Sequence, residues 1–299
     1  MRVDPHYVSG LVASLNSSTL AEQKLTSELS SGLAVSSLSD NPVAAGQASM
    51  LTSTISQDDT FVQTAATAES LMQVADSALG SVVTQLTSAL SLAVEGNSGT
   101  ESASDLTALS QQLGSIRDQV VALANTSYQG TYIFAGSDGD VQPFAVDTST
   151  TPATTTYYGD TQVGSVTTEN GQQIQTGLAG SAVFLAPGAD VMTALNNLVA
   201  DFAGGTVSGT ASTDIGVLQT ALSNVSQQRL SLDSSLNRLQ TASSFAQTDA
   251  TNRTATVSTL VSADPATVAT QLSSAETQNQ ALMSVIATVE KQSLFDMIQ

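Results

Sequence analysis

The sequence has no cysteine and no tryptophan, a single histidine, and only seven lysines and arginines in 299 residues. Without cysteine there can be no disulfide, no thiolate chemistry and no cysteine-based metal site. Stability must come from packing or from assembly. With His6 as the sole imidazole, no Ser/His/Asp or Cys/His arrangement can form away from that position. Seven basic residues against twenty-six acidic ones give a formal net charge of −19. Such a chain lacks the basic footprint that neutralises phosphates, and anionic lipid repels it. Neither nucleic acid nor a membrane is therefore an expected partner. Met1-Arg2-Val3-Asp4-Pro5-His6-Tyr7 has no apolar run and no small-residue cleavage site, so no cleaved signal peptide is expected. No stretch is expected to approach the roughly 18 apolar residues of a membrane span. The expectation is a cytoplasmic chain or one exported without a cleaved leader. There is no Gly-Lys-Ser/Thr phosphate loop and no Gly-x-Gly-x-x-Gly fingerprint after a strand. No cofactor or metal is expected.

Aromatics make up only 4% of the chain, so alanine, leucine and valine must do most of the packing, which suits long helices packed side by side. The 3-4 spacing of apolar residues supports this. It picks out Phe61, Ala65, Ala68, Met72, Ala75, Leu79, Val82, Leu86, Ala89 and Ala93. A second run is Leu106, Leu109, Leu113, Ile116, Val120 and Leu123. A third, interrupted by Arg229, is Ile215, Leu218, Leu222, Val225, Leu232, Leu236 and Leu239. The last is Val268, Leu272, Ala275, Asn279, Leu282, Ile286 and Val289, and residues 1–40 repeat the habit less cleanly through Val8, Leu11, Leu15, Leu25 and Leu29. Asn41-Pro42 and Asp264-Pro265 each place a capping side chain before a proline suited to the first helical position. A helix from Pro42 to Val94 is about 80 Å long at 1.5 Å per residue, so the expected molecule is a rod.

The helical period vanishes over 131–209. Tyr132-Ile133-Phe134, 154–158 and 163–168 are β-prone, separated by Gly136-Ser137-Asp138-Gly139, Gly159-Asp160 and Asn170-Gly171, which are turn or hairpin chemistry. Val191, Leu195, Leu198 and Phe202 suggest one short helix over 190–202. The expected fold is mainly α with a β-rich insert: an elongated rod of long antiparallel, coiled-coil-like helices with the N- and C-terminal helices paired. The expected domains are 1–41 with 264–299 (terminal helices, disordered in the free subunit), 42–130 with 210–263 (central rod) and 131–209 (outer, β-rich).

Few residues suggest chemistry. Asp138-Gly139-Asp140 faintly resembles the start of a calcium loop, but Ser149 stands where a bidentate glutamate is required, so a polar turn is the expectation. Asn16, Asn125, Asn224 and Asn252 match the glycosylation acceptor pattern by chance in a chain rich in serine and threonine. For Arg229 the expectation is a packed stem with its head in water, in preference to an ion pair with a facing helix. A hydrolase on the insert would need a carboxylate pair, for which Asp138, Asp140 and Asp160 are the only candidates. No enzymatic activity is expected.

Three segments go beyond pattern. Residues 29–45, with Ser31-Gly32 and Asp40-Asn41-Pro42, resemble the N-terminal signature of the flagellin superfamily. Gly130-Thr131-Tyr132-Ile133-Phe134-Ala135-Gly136-Ser137 with Pro143-Phe144 and Tyr158-Gly159-Asp160 resembles the motif that opens the outer domain of its hook–filament junction members. The Asp264-Pro265 helix ending in Ser293-Leu294-Phe295-Asp296-Met297-Ile298 resembles the family's terminal helix. The resemblance implies a structural subunit of the bacterial flagellum, exported unfolded through the flagellar type III apparatus, that adapts hook to filament; the alternative is the filament flagellin itself. Its implied partners are further copies in a ring or helical layer, the first hook-associated protein, flagellin and a cytoplasmic export chaperone. The implied assembly interface is Leu11, Leu15, Leu25, Leu29, Leu272, Leu282, Ile286 and Val289.

Overall fold

A computed structural model describes residues 5–296, with side chains from Ser9 to Val289. The motif ends at Met1–Asp4 and Met297–Ile298, and the side chains of His6, Val8 and Ser293–Asp296, lie outside the described residues. The chain runs through α1 (Pro5–Ser31), α2 (Pro42–Gly96) and α3 (Ala103–Ala124). Short strands follow: β1 (Ser127–Tyr128), β2 (Thr131–Tyr132), β3 (Phe144–Asp147), β4 (Thr154–Tyr157), β5 (Ser165–Thr167) and β6 (Gln173–Gln175). Then come α4 (Gly180–Phe184), β7 (Leu185–Ala186), β8 (Ala189–Asp190), α5 (Val191–Ala203), α6 (Ala211–Val261) and α7 (Pro265–Asp296).

Local chemistry accounts for the helix boundaries. Asn41 Oδ1 accepts the Ala44 amide at 3.1 Å, and Pro42 opens α2 where its missing N–H costs nothing. Ser102 and Asp105 form a reciprocal capping box on α3, and Asp190 caps α5 through the Thr193 amide. Asp264 accepts the Ala266 amide and the Thr267 hydroxyl at the start of α7. The many serines and threonines are satisfied within the helices: Thr84, Thr87 and Ser88 each donate to the carbonyl four residues back. A helix can thereby carry a hydroxyl-rich outer face with few charges.

The fold divides into two compact units, residues 1–57 with 249–299, and residues 58–248. In the second, the seam expected on α2 is the core: Ala65, Met72, Ala75, Leu79, Val82, Leu86, Ala89 and Ala93 are all buried, with Phe61 and Ala68 half-buried. Leu113 and Val120 of α3, Leu198 and Phe202 of α5, and Leu218, Val225 and Leu239 of α6 complete it. Contrary to the sequence expectation, α2 contains an 18-residue window of mean hydropathy 1.4, long and apolar enough by composition to cross a membrane. Its apolar residues supply much of this core.

The insert consists of four separate antiparallel two-stranded hairpins. β3 pairs with β4 in the register Phe144↔Tyr157, and β5 with β6 in the register Val166↔Ile174. Asn170-Gly171 turns the second of these, with Gly171 at φ +75°. The β-prone segments are shorter than their composition suggests; Ile133 and Phe134 leave the strand and bury themselves. Gly159-Asp160 does not connect β4 to β5 as a tight hairpin, because Asp160 is recruited by Ser137 instead.

Arg229 also departs from expectation. Its Nε lies 2.6 Å and its Nη2 3.1 Å from the carboxylate of Asp76 on α2. Gly80, one turn from Asp76, leaves room for the guanidinium, whose Cζ sits 3.4 Å from where a Cβ would be. The bidentate geometry and the missing side chain on α2 favour the ion pair over a solvated head.

In the first unit α1 packs against α7. The chain entering α2 crosses the end of α6: Leu33 bridges Ser262, and the Ala34 amide donates to the Val261 carbonyl at 2.8 Å. Among the described residues this unit buries only Ala44, Ala48, Ala250 and Val268 as apolar side chains.

Candidate assembly surfaces and the signature clusters

Leu11, Leu15 and Leu25 of α1 and Leu272, Leu282, Ile286 and Val289 of α7 are half-buried, while Leu29 is exposed. Two helices in contact cover only one flank of each seam. Further large apolar residues stand in water: Val12, Leu20, Leu38, Val43, Met50 and Met283 are all more than half exposed. Asn279, at a seam position of α7, donates through Nδ2 to Glu22 of α1. A polar pair at such a position fixes which residues face each other at some cost in stability.

The first signature forms the turn between α1 and α2. Ser31 donates its hydroxyl to the Ser27 carbonyl at 2.8 Å. Gly32, at φ +71°, ends α1 with its amide on the Glu28 carbonyl, and its own carbonyl accepts the Ala263 amide. Asp40 gathers the amides and hydroxyls of Ser36 and Ser37, and Lys24 Nζ lies 2.9 Å away. The Lys24 contact, followed by the Ser37 and Ser36 hydrogen bonds, holds its carboxyl far below the ordinary carboxylate range. One carboxylate thus orders the loop before Asn41 and Pro42 begin α2.

The second signature is a packed knot at the base of the insert. The rings of Phe134 and Phe144 meet Phe184 edge-on at 5.4 and 5.3 Å, and Tyr157 lies against Phe144 at 5.0 Å. The Tyr157 hydroxyl lies within 3.0 Å of the carbonyls of Phe134 and Asp160. Asn125 accepts the Phe144 amide and donates to the Phe144 carbonyl, both at 2.9 Å, as a third strand would. Tyr132 takes the Gly139 carbonyl through its amide, and the buried Pro143 offers its carbonyl to the Tyr158 amide. At Gly136 a Cβ would fall 2.0 Å from Asp160 Oδ1. Only glycine admits the carboxylate there, which accepts the Ser137 amide and hydroxyl. Phe184 and Asn125 had no sequence signal as members of this knot: Phe184 is distant in the chain from the motif, and Asn125, just ahead of it, pairs with Phe144 only through the fold.

Of the three candidate carboxylates for hydrolysis, Asp160 is committed to Ser137 and Gln162, bonds that hold its carboxyl below the ordinary range, whereas Asp138 and Asp140 are exposed in a turn. The structure does not bring them together as a pair in a cleft. A cleft of about 590 Å³ lies elsewhere in the second unit, between the β5–β6 loop and α6, with Phe61, Arg238 and Phe245 among its walls and Glu169 its one carboxylate. Asn125 and Asn224, which match the glycosylation pattern, are used structurally, the latter on the carbonyls of Ala182 and Val183.

Residues 9–138 match the family model described as bacterial flagellin N-terminal helical region, and residues 215–298 the one described as bacterial flagellin C-terminal helical region. The chain belongs to the flagellin family. Among relatives, it is 31% identical over 162 residues to flagellar hook-associated protein 3 of Salmonella typhimurium, covering 54% of this chain and 49% of the relative. The match thus spans about half the length of that relative. It is 28% identical over 260 residues to the protein of the same name from Escherichia coli, covering 81% of each. In fold it is similar to the crystal structure of Bacillus cereus FlgL, with a TM-score of 0.56 at 20% identity, over 70% of this chain and 97% of that one. The mainly helical flagellin-like fold, with long terminal helices and a small sheet-bearing insert, agrees with both terminal matches.

Proposed function

We propose that this chain is a structural subunit of the bacterial flagellum that assembles between hook and filament and adapts one to the other. The observation that carries the reading is the unfinished packing of the terminal unit. Among the described residues its seams are half-covered, its buried apolar side chains are three alanines and a valine, and leucines, valines and methionines are left in water. Apolar side chains left uncovered along paired helices are available to further helices, and here they lie in segments that match the family. The two relatives named hook-associated protein 3 favour the junction over the filament.

On this reading residues 1–41 with 264–299 form an inner layer, 42–130 with 210–263 the next shell, and 131–209 face outward. The termini gain their order from neighbours, and the subunit leaves the cell unfolded. Its partners are further copies of itself, the first hook-associated protein on one side, flagellin on the other and an export chaperone beforehand. It carries no enzymatic activity, in keeping with a structural family. The test is to incubate the purified chain with and without isolated hooks. A junction subunit adds to hook ends in a limited layer and does not extend alone; long filaments formed without hooks would identify a filament flagellin instead.

A further inference from the structure

At the corner joining α5 to α6, Asp201 of α5 bonds Thr210 at the start of α6, and Asn197, one turn earlier on α5, bonds Asp214, one turn into α6; these cross-bonds set Asp201 and Asp214 side by side, both residues only 8% exposed. Asp201 Oδ1 accepts the Thr210 hydroxyl at 2.8 Å, and Thr210 in turn contacts the Ser208 hydroxyl. Asp214 Oδ1 accepts the Asn197 amide at 2.9 Å. Asp201 Oδ2 is buried with no donor. No cation supplies the missing partner. The basic residues of 58–248 are Arg117, Arg229 and Arg238. The first pairs with Asp118, the second with Asp76, and the third lines the cleft at the β5–β6 loop.

The elements packed on the corner bring only acids. The end of α2, where Gly96 meets Phe202, carries Glu95; the start of α3, where Ala103 meets Gly205, carries Asp105, engaged by Ser102, with Glu101 in the loop just before it. Asp190 caps the far end of α5. Two ionised carboxylates cannot comfortably share a buried site. A metal ion is also ill suited, because Thr210 and Asn197 point hydrogens at the carboxylates and not lone pairs.

We propose that Asp201 and Asp214 share one proton, the carboxylic acid of Asp214 donating to Asp201 Oδ2, and that this proton latches α5 to α6. The single negative charge left on the pair is carried by Asp201, in the last turn of α5, and is met there by the Thr210 hydroxyl at the start of α6. Burial, chiefly, and then the neighbouring Asp201 push the Asp214 carboxyl above its ordinary 3.8, against the Asn197 hydrogen bond. A raised carboxyl binds its proton more tightly in the folded state. The latch is therefore complete below the unfolded value and weakens as pH rises through the folded one.

The test uses the full chain, with carbon-13 titration of the two carboxyls and amide hydrogen exchange over 201–214 from about pH 4 to about pH 8. After correction for intrinsic rates, protection at the corner should fall by up to about tenfold per pH unit until the pair ionises, then level off. Asp214→Asn supplies a permanent donor in the same shape and should remain protected with no pH dependence; Asp201→Asn should behave alike. The proposal is overturned if both wild-type carboxyls titrate at the ordinary value, or if the asparagine variants keep the wild-type pH dependence. It is equally overturned if calcium at neutral pH restores protection, which would mark a cation site.

Discussion

Gly136 and Gly171 adopt nearly the same backbone, φ +77° and +75°, in different surroundings. A Cβ at Gly171 meets nothing within 4 Å, whereas one at Gly136 falls on Asp160. Gly171→Ala should then cost only backbone strain, about 1 kcal/mol. Gly136→Ala must also expel the Asp160 carboxylate from Ser137 and should cost at least about 3 kcal/mol. Urea denaturation followed by circular dichroism compares the two; equal costs would show that the knot is not held at Gly136. The glycines, Phe134 and Phe144 were legible as a motif. Their partners Asn125, Tyr157 and Phe184 were not, because a motif records which residues recur and not what they touch.

At the scale of elements, the apolar spacing located α2, α3, α5, α6 and α7, since each seam is a local periodicity that burial then follows. It could not decide Arg229. Whether that head reaches water or a carboxylate depends on Asp76 lying opposite, 153 residues away in sequence. The pair is 39% and 26% exposed, so solvent screens it despite good geometry. A double-mutant cycle between Arg229→Ala and Asp76→Ala should give a coupling of about 0.5–1 kcal/mol that shrinks with added salt. A salt-insensitive coupling of about 3 kcal/mol or more would mean that the pair behaves as buried. The strands were poorly legible for a related reason. Strands of two to four residues depend on what they pack against, as Phe144 and Tyr157 of the β3–β4 hairpin do on the aromatic knot, and not on propensity.

For the whole molecule, the two units differ in how much of their own surface they bury. The 58–248 unit encloses aromatic and aliphatic side chains down to zero exposure, whereas the terminal unit closes over little. Deleting residues 1–30 should therefore abolish incorporation at hook ends while leaving the thermal unfolding of 58–248 nearly unchanged. Loss of helical circular dichroism across the whole chain after that deletion would show that the central unit depends on the terminal helices. The sequence by itself determined the helical architecture, the insert and the family, because helix periodicity, caps and contiguous motifs are local and survive in one dimension. Only the tertiary structure decided the Asp76–Arg229 pair, the residues that complete the Phe134 knot and the meeting of Asp201 with Asp214. Each joins groups whose proximity comes from the packing of separate elements, and whose energetics depend on burial that no linear pattern records.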